Sequence, residues 1–379
     1  MFSKEEKVQY DRQIRLNQFG EESQRELKYA KVAIVGAGAL GIPVAMYLGA
    51  AGVGEITIID GDRVEQSNLH RQIAFTTDDI GKNKAQLLGN RIKANNPFIR
   101  VNVVEEFLRV ENAVDLSENV DYIIDGTDNF GTRYLINDLC VLYDKTNIHG
   151  SIQEYSGQVS VFNMLKKDGT RSANYRDLFP EPPNPNEVKN CAENGVIGAL
   201  PGIIGSMMAM ETIKLIVKNE MILAEKLYIY NSLKNEGTTI NYSKDSSNPI
   251  SGVSPSIMNL TLLNQYCTTL KTSTMNTIDV SELKMYFDEN RDFQLIDVRE
   301  RYEFEAGNIG GDHIPLSEIP HRFSEISREK TVIILCRMGS RSQSAVDYLI
   351  QSHKFDNLLN LKGGITDWAK NIDPSIKVY

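Results

Sequence analysis

Residues 31–60, KVAIVGAGALGIPVAMYLGAAGVGEITIID, constrain this chain more than any other stretch. Residues 32–35 are an apolar run with β-branched side chains, as a buried parallel strand requires. Gly36, Gly38 and Gly41 follow as G-x-G-x-x-G, leading through an apolar helical stretch into a second strand ending at Asp60. The first glycine permits a tight turn, the second lets backbone N–H groups approach a phosphate, and the third lets the helix pack close to the strand. A carboxylate at Asp60 stands where it can accept hydrogen bonds from a ribose. The unit specifies a nucleotide without deciding which.

The 379 residues suggest two or three domains. A composition of 41% hydrophobic and 24% charged residues is ordinary for a soluble globular protein. A formal net charge of -9 argues against a general nucleic-acid binder and leaves room only for a local basic pocket. The start, MFSKEEKVQYDRQIR, is charged and lacks the apolar core of a signal peptide, and no apolar run is long enough to span a bilayer. Cys140, Cys191, Cys267 and Cys336 show no disulfide spacing, which fits a reducing cytoplasm in which each is filler, ligand or nucleophile.

Taken in order, residues 5–30 read as a polar helical arm with an intermittent apolar stripe, and Arg12 and Arg15 in it read as solvated charge when taken alone. Residues 61–75 read as a polar loop entering a short helix, which would put Asn68 and Arg71 on one face. Residues 81–84 open a helix running to about Asn95. The helix dipole disfavours Lys82 and Lys84 at that end, so an anionic partner is a reason for them. Residues 99–104 and 120–125 are strands. Asp125 and Asp128 therefore emerge on the same sheet edge as the glycine turn, where a carboxylate beside a phosphate suits magnesium. Asp128 also fits as the N-cap of the following helix, and the two roles are compatible.

Residues 147–164 read as two strands where the sheet turns antiparallel. Residues 179–190, FPEPPNPNEVKN, read as a mobile crossover with Cys191 at its end. A glycine-rich apolar helix and two strands (227–242) complete the first domain, 1–242. Residues 243–276 read as a Ser/Thr-rich linker with one short helix near 257–265, and a fresh α/β pattern occupies 277–379 with strands at 293–297 and 331–335. The fold class is α/β: a Rossmann-like mixed sheet with helices on both faces, plus a smaller α/β domain.

Residues 5–242 resemble the MoeB/ThiF/HesA family, relatives of ubiquitin-activating enzymes. The resemblance is carried by RQI near the start, GAGALG, AGVGEITIID, SNLHRQ, the G-x-x-K at 81–84, DGTDN, and the CAENGV–GALPGIIGSMMAMETIK block. Residues 277–379 resemble a rhodanese domain through LIDVRERYEFEAGNIGGDHIPL and CRMGSRS. The first resemblance implies that Asp60 holds the ribose of ATP, that Asn68, Arg71 and Lys84 grip its phosphates, and that Asp128 binds Mg2+. It also implies a homodimer in which Arg12 reaches into the partner subunit's site, with Cys191 as a conjugating cysteine. The implied substrate is a small ubiquitin-like sulfur carrier ending in Gly-Gly, whose carboxylate attacks the α-phosphate. Fixed cations and a metal would stabilise the charge that builds there. The pathway, whether molybdopterin, thiamine or other, stays open.

The loop Cys336–Arg341 follows a strand and precedes a helix, so its N–H groups can form an anion-stabilising nest, with Arg341 adding positive potential. Its length suits sulfur better than phosphate, since phosphatases with a similar loop have one more residue before the arginine. The combined expectation is that a persulfide on Cys336, loaded by a donor such as a cysteine desulfurase, attacks the carrier acyl-adenylate, and that Cys191 cleaves the acyl disulfide. The plainer readings are a buried filler at Cys336 and a passive loop cysteine at Cys191. Two competing functions are an NAD-dependent oxidoreductase fused to a rhodanese, and a scaffold that binds a carrier without turning it over. The chain departs from the family where a structural zinc is held by two C-x-x-C pairs: Asn174, Asp177, Ser251 and Ser254 stand there, so no structural zinc is expected. Asn308 stands where the rhodanese pattern has histidine.

Overall fold

The computed structural model describes residues 2–183, 195–260 and 277–378. Cys191, Cys267 and most of the expected crossover lie outside the described residues. The chain divides into two compact units, Met1–Cys267 and Thr268–Tyr379.

In the first unit β1 (Lys31–Val35), β2 (Glu55–Ile59), β3 (Arg100–Val104), β4 (Tyr122–Asp125), β5 (Thr146–Gln153), β6 (Ser156–Phe162), β7 (Lys226–Asn231) and β8 (Glu236–Asn241) form one sheet in the order β3-β2-β1-β4-β5-β6-β7-β8. Pairing is parallel from β3 to β5 and antiparallel from β5 to β8. Helices cover both faces, and the alternation along β1 shows why. Val32 and Ile34 join one core, with Leu48, Leu88, Ile92, Ile204 and Met208, while Ala33 and Val35 join the other, with Leu135, Ile136 and Leu139. Within the first core, helix Leu200–Ile216 lies close against helix Gly41–Ala51 because Gly205 carries no side chain: a Cβ there would sit 2.4 Å from Pro43 Cγ.

The amino-terminal arm is two helices, Lys4–Ile14 and Gly20–Tyr29, rather than one. Gly20, at φ 68°, begins the second. The arm is also more firmly seated than its charge suggests. Leu27 is fully buried, the Tyr10 hydroxyl accepts from Asn96 Nδ2 at 2.8 Å, and Gln24 Nε2 donates to Ala51 O at 2.9 Å.

The stretch expected to be linker from residue 243 is, as far as Leu260, packed on this unit. Ile250, Ile257 and Leu260 are buried, and Leu260 joins the second core. Its low sequence pattern conceals a polar corner. Asn248 Nδ2 donates to Asp177 Oδ1 at 2.7 Å, its Oδ1 accepts from the backbone of Ile250 (2.9 Å) and Ser251 (3.2 Å), and Asn174 Nδ2 donates to Ser251 Oγ at 2.8 Å. These are the positions where the family holds zinc. Their donors are amide, hydroxyl and a single carboxylate, already spent on one another, with no thiolate among them, so they do not fit that metal. Ser254 is exposed and takes no part in these bonds; Asn248 supplies the fourth side chain instead. Among the described residues no group of three or more His, Cys, Asp or Glu is placed to hold a metal ion.

The entry to the crossover is fixed from below. Buried Arg176 pairs with buried Asp138 through two hydrogen bonds of 2.6 and 2.7 Å, and the Tyr134 hydroxyl lies within reach of the carbonyls of Phe179 (3.0 Å) and Glu181 (2.6 Å).

In the second unit β9 (Thr277–Ile278), β10 (Phe293–Asp297), β11 (Asp312–His313), β12 (Thr331–Leu335) and β13 (Leu358–Leu361) form a parallel sheet in the order β11-β10-β12-β13-β9. Ile296 and Ile334 face one core, and Leu295, Ile333 and Leu335 face another that includes Trp368. Both faces are covered, as a parallel sheet requires.

Candidate functional site

A cleft opens at the carboxyl ends of β1, β2 and β4, where the strand order reverses direction about β1. Two glycines of the turn beneath it are fixed by sterics. Gly36 has φ 98°, and a Cβ there would lie 2.8 Å from Gly126 O; a Cβ on Gly41 would lie 1.8 Å from Gly36 O. Gly38 is different. Its nearest neighbour would be Gln72 Nε2 at 3.8 Å, so its missing side chain keeps the cleft floor open.

Asp60 sits immediately after β2 on the cleft wall. Its Oδ2 accepts from Ala37 N–H at 2.7 Å and its Oδ1 from Asp62 N–H at 2.8 Å, tying it to the glycine turn. Burial pushes its carboxyl above the usual range, against those two donors and the charge of Lys84. Lys84 and Arg71 also line the cleft. Lys84 is buried, begins helix Lys84–Asn95 behind the Asn83 cap, and pairs its Nζ with Asp62. Arg71 is steadied by a bond from Nη1 to Ser67 O at 3.0 Å. Lys82, equally basic by sequence, is paired instead with Asp79 at 3.6 Å outside the cleft.

Two further expected residues lie elsewhere. Asn68 is buried and does not line the cleft; its Oδ1 accepts from Glu65 N–H at 3.2 Å, closing the short helical turn Gln66–Asn68 that carries Arg71. Arg12 is exposed on helix Lys4–Ile14 and is also outside the cleft of its own chain.

Asp128 lines the cleft and is exposed, and its carboxylate makes no hydrogen bond or ion pair with the described residues. The capping role it shared by sequence belongs to its neighbour: Asn129 Oδ1 accepts from Thr132 N–H at 2.8 Å at the start of helix Phe130–Leu142. One carboxylate left unpaired on the cleft could serve as a ligand for a divalent cation.

Sequence reasoning missed the support beneath this edge. Asp125, fully buried at the end of β4, accepts from Thr127 N–H (3.1 Å) and Thr127 Oγ1 (2.6 Å), and from His149 Nδ1 at 3.0 Å, while Arg133 Nε lies 3.7 Å away. Burial works to raise the Asp125 carboxyl, but the His149 bond and the Arg133 charge hold it below its ordinary value. Burial lowers His149, which therefore carries its proton on Nδ1 as a neutral ring. The group pins the 126–129 loop that presents Asp128. His149 belongs to the neighbouring strand and only the β4–β5 register reveals it, since Asp125 is paired opposite His149. Arg133, which also lines the cleft, is one helical turn beyond Asn129 and was legible from that spacing. Phe107 and Leu108 form an apolar wall just past β3 and followed from applying the strand-end rule to β3 as well.

The second unit carries its own site. Cys336 directly follows β12 and is fully buried, and helix Ser340–His353 begins after Gly339 at φ 98°. The nest is narrower than the sequence suggests: among the described contacts one backbone donor, Gly339 N–H, reaches Sγ at 3.1 Å, and the Ser342 hydroxyl lies 3.3 Å from it. Arg341 forms a bidentate pair with Glu303 (2.6 and 2.7 Å), so much of its charge is compensated rather than offered to the sulfur. Behind it, fully buried Arg299 and Asp297 are joined at 2.6 Å, and Arg299 also donates to Glu303 O and Gly307 O. Asn308 closes a turn, donating to Phe304 O at 3.0 Å and accepting from Gly310 N–H at 3.1 Å. Cys140, the other described cysteine, is buried among apolar side chains that push its thiol up, and it is inert filler.

A glycine-turn nucleotide cleft with fixed cations, joined in one chain to a cysteine loop on a small parallel sheet, defines a nucleotide-binding α/β protein with a sulfurtransferase-type second unit. The ThiF family model matches residues 10–250 and the rhodanese-like domain matches residues 279–371. The chain is 40% identical over 385 residues to the probable adenylyltransferase/sulfurtransferase MoeZ of Mycobacterium tuberculosis, covering 100% of this chain and 96% of that protein. It is 35% identical over 398 residues to the adenylyltransferase and sulfurtransferase MOCS3 of Anopheles gambiae, covering 99% and 89%. It is 42% identical over 266 residues to the sulfur carrier protein adenylyltransferase of Thermus thermophilus, covering 70% and 98%. Among solved structures, Escherichia coli MccB with MccA shares the fold at a TM-score of 0.56 and 21% identity, covering 66% of this chain and 75% of that one. The chain belongs to the ThiF family and carries a C-terminal rhodanese-like domain.

Proposed function

We propose that this protein uses ATP to adenylate the C-terminal glycine carboxylate of a small ubiquitin-like sulfur carrier, and then replaces the adenylate with sulfur delivered from Cys336. The observation that carries the reading is the pairing of two sites in one chain: Lys84, Arg71 and the unpaired Asp128 around an open glycine turn, and Cys336 buried at the mouth of a parallel strand. Relatives named for both activities span the whole chain.

In the first half, Asp60 accepts from the ribose hydroxyls while Phe107 and Leu108 cover the base. Lys84 exchanges Asp62 for the phosphates, and Arg71 joins it from the turn closed by Asn68. The carrier carboxylate attacks the α-phosphate, an oxygen–phosphorus bond forms, the α–β bridge breaks and pyrophosphate leaves. Cations aimed at that oxygen cluster stabilise the charge that builds there and lower the barrier. Magnesium held by Asp128 would supply further positive charge to the phosphates. Arg12, exposed and outside its own cleft, fits the role of reaching a second subunit in a homodimer.

In the second half, Cys336 as thiolate takes the outer sulfur of a donor persulfide, such as that of a cysteine desulfurase, and the donor thiolate leaves. The resulting persulfide attacks the acyl carbon and expels AMP. A second thiol, for which Cys191 is the candidate, attacks the Cys336 sulfur and releases the carrier thiocarboxylate. The protein disulfide left behind is reduced by an external thiol. The reaction belongs in the cytoplasm, where such a reductant is present. No described helix is long and apolar enough to cross a membrane.

The test is the intact mass of candidate Gly-Gly carriers after incubation with the protein, Mg-ATP and a persulfide source. A carrier that gains AMP, and that exchanges its terminal oxygen for sulfur only with wild-type protein, is expected. Full thiocarboxylate formation by Cys336→Ala would overturn the assignment of sulfur transfer to the second unit, and ATP binding with no change in any carrier would overturn adenylation.

A further inference from the structure

The Ser342 hydroxyl has one proton and two neighbours that can accept it: Cys336 Sγ at 3.3 Å and Asn360 Oδ1 at 2.6 Å. Ser342 is fully buried and Asn360 is 6% exposed, so water does not settle the matter. A chain of side chains does. Asp347 is an acceptor, and Gln343 Nε2 donates to its Oδ1 at 2.9 Å, which turns Gln343 Oε1 toward Asn360. Asn360 Nδ2 then donates to that oxygen at 2.9 Å and to Gly339 O at 3.0 Å. A flipped amide would put oxygen against two oxygens, so Asn360 Oδ1 must face Ser342. The shorter contact takes the hydroxyl proton, and the oxygen lone pairs are left facing the sulfur.

We infer that Ser342 is a catalytic residue of the sulfur site and that Asn360, oriented by Gln343 and Asp347, is a positioning residue that withholds the Ser342 proton from Cys336 until the sulfur is unprotonated. With that proton directed at Asn360, the sulfur meets hydroxyl lone pairs rather than a donor. When Cys336 carries no proton, as a thiolate or as the inner sulfur of a persulfide, the hydroxyl rotates about its C–O bond and donates to sulfur. The rotation exchanges a neutral hydrogen bond for one to a more electron-rich sulfur, and no heavy atom need move. The empty site is thereby held less reactive than the loop alone would make it, and the loaded state is the one in which Ser342 serves the sulfur.

Other charges bear on the same sulfur: Arg337 on the loop is exposed, the Arg341–Glu303 pair approaches from helix Arg301–Ala306, and Asp367 lies on helix Gly364–Asn371, whose Ile365 N–H bonds Cys336 O at 2.9 Å. These charges remain in place when Asn360 is changed. Removing Asn360 therefore isolates its claim on the Ser342 proton.

The inference rests on Cys336 being the sulfur-bearing residue, but its test does not need sulfur transfer. The rate of iodoacetamide alkylation of Cys336 is followed across pH by peptide mass spectrometry on the full chain. Asn360→Leu is expected to raise that rate at pH 7 about fivefold, the worth of one ordinary hydrogen bond. The same substitution in a Ser342→Ala background is expected to do nothing. Asn360→Ala, which removes the same acceptor, is expected to act as Asn360→Leu does and stands in if that variant fails to fold. An unchanged or slower rate in both Asn360→Leu and Asn360→Ala overturns the inference, as does a faster rate that persists without Ser342. Thiocarboxylate formation by Cys336→Ala would instead overturn the functional reading and leave the alkylation result standing.

Discussion

Replacing Asn248 with alanine tests what holds the corner of the first unit where the family uses zinc. The side chain is 1% exposed and makes four hydrogen bonds of its own: to the Asp177 carboxylate at 2.7 Å, to Asn174 Oδ1 at 3.4 Å, and from the backbone of Ile250 at 2.9 Å and Ser251 at 3.2 Å. Each neutral bond contributes about 1 kcal/mol and the bond to the carboxylate about 1.5–3 kcal/mol, and water entering the space recovers part, so Asn248→Ala should cost roughly 3 kcal/mol. For a unit of this size, about 2–4 °C per kcal/mol gives a fall in Tm of roughly 6–12 °C. Far-UV circular dichroism melts of the full chain read it directly, with Ser254→Ala, an exposed position, as the control. Zinc should not restore the variant, and a chelator should leave the wild type unchanged. A shift smaller than about 2 °C, within what an ordinary surface substitution produces, would show that the hydrogen bonds do not hold this corner. A chelator-induced fall in the wild type would show that a metal does.

Lys84→Ala should reduce ATP–pyrophosphate exchange by about 10²-fold or more, as loss of a fixed charge at the reacting phosphates does, while Lys82→Ala, whose lysine is paired outside the cleft, leaves exchange near wild type. The His149–Asp125 pair sets a pH dependence with a definite sign. The folded His149 is lowered from 6.5, so its contribution is complete above 6.5 and is lost as pH falls through the depressed value; Asp125, lowered from 3.8, is lost at lower pH still. The Tm advantage of wild type over His149→Gln should therefore shrink as pH falls below 6.5 in thermal melts, and an advantage that grows on acidification would contradict the buried neutral ring.

The glycine turn, the strands of the first unit, the two central strands of the second, the apolar helices and the division into a larger and a smaller α/β unit were legible in the sequence. Each is a local pattern: a period, a glycine spacing, a strand-length run of β-branched residues. Gly36, Asp60 and Asp128 were legible as cleft-lining positions for the same reason, since strand ends follow once the strands are placed, and Lys84 followed from the start of its helix. Residues 243–260 were misread as linker because polar residues that satisfy one another across 71 and 77 positions leave no periodic trace.

What only the tertiary structure decided is which of two equal candidates does a job. Lys82 and Lys84 have the same chemistry, and the start of the helix turns one into the cleft and the other onto Asp79. Asp128 and Asn129 are both capping residues, and the turn gave the cap to Asn129, leaving a carboxylate unpaired at the cleft. Arg341 was legible as a charge near Cys336, but Glu303, 38 positions away, holds it. Sequence by itself sets the chemical kind of each group and the order of strands along the chain. Partner choice depends on strand register and helix phase, which bring distant residues to within hydrogen-bond distance, and those are properties of the packed chain.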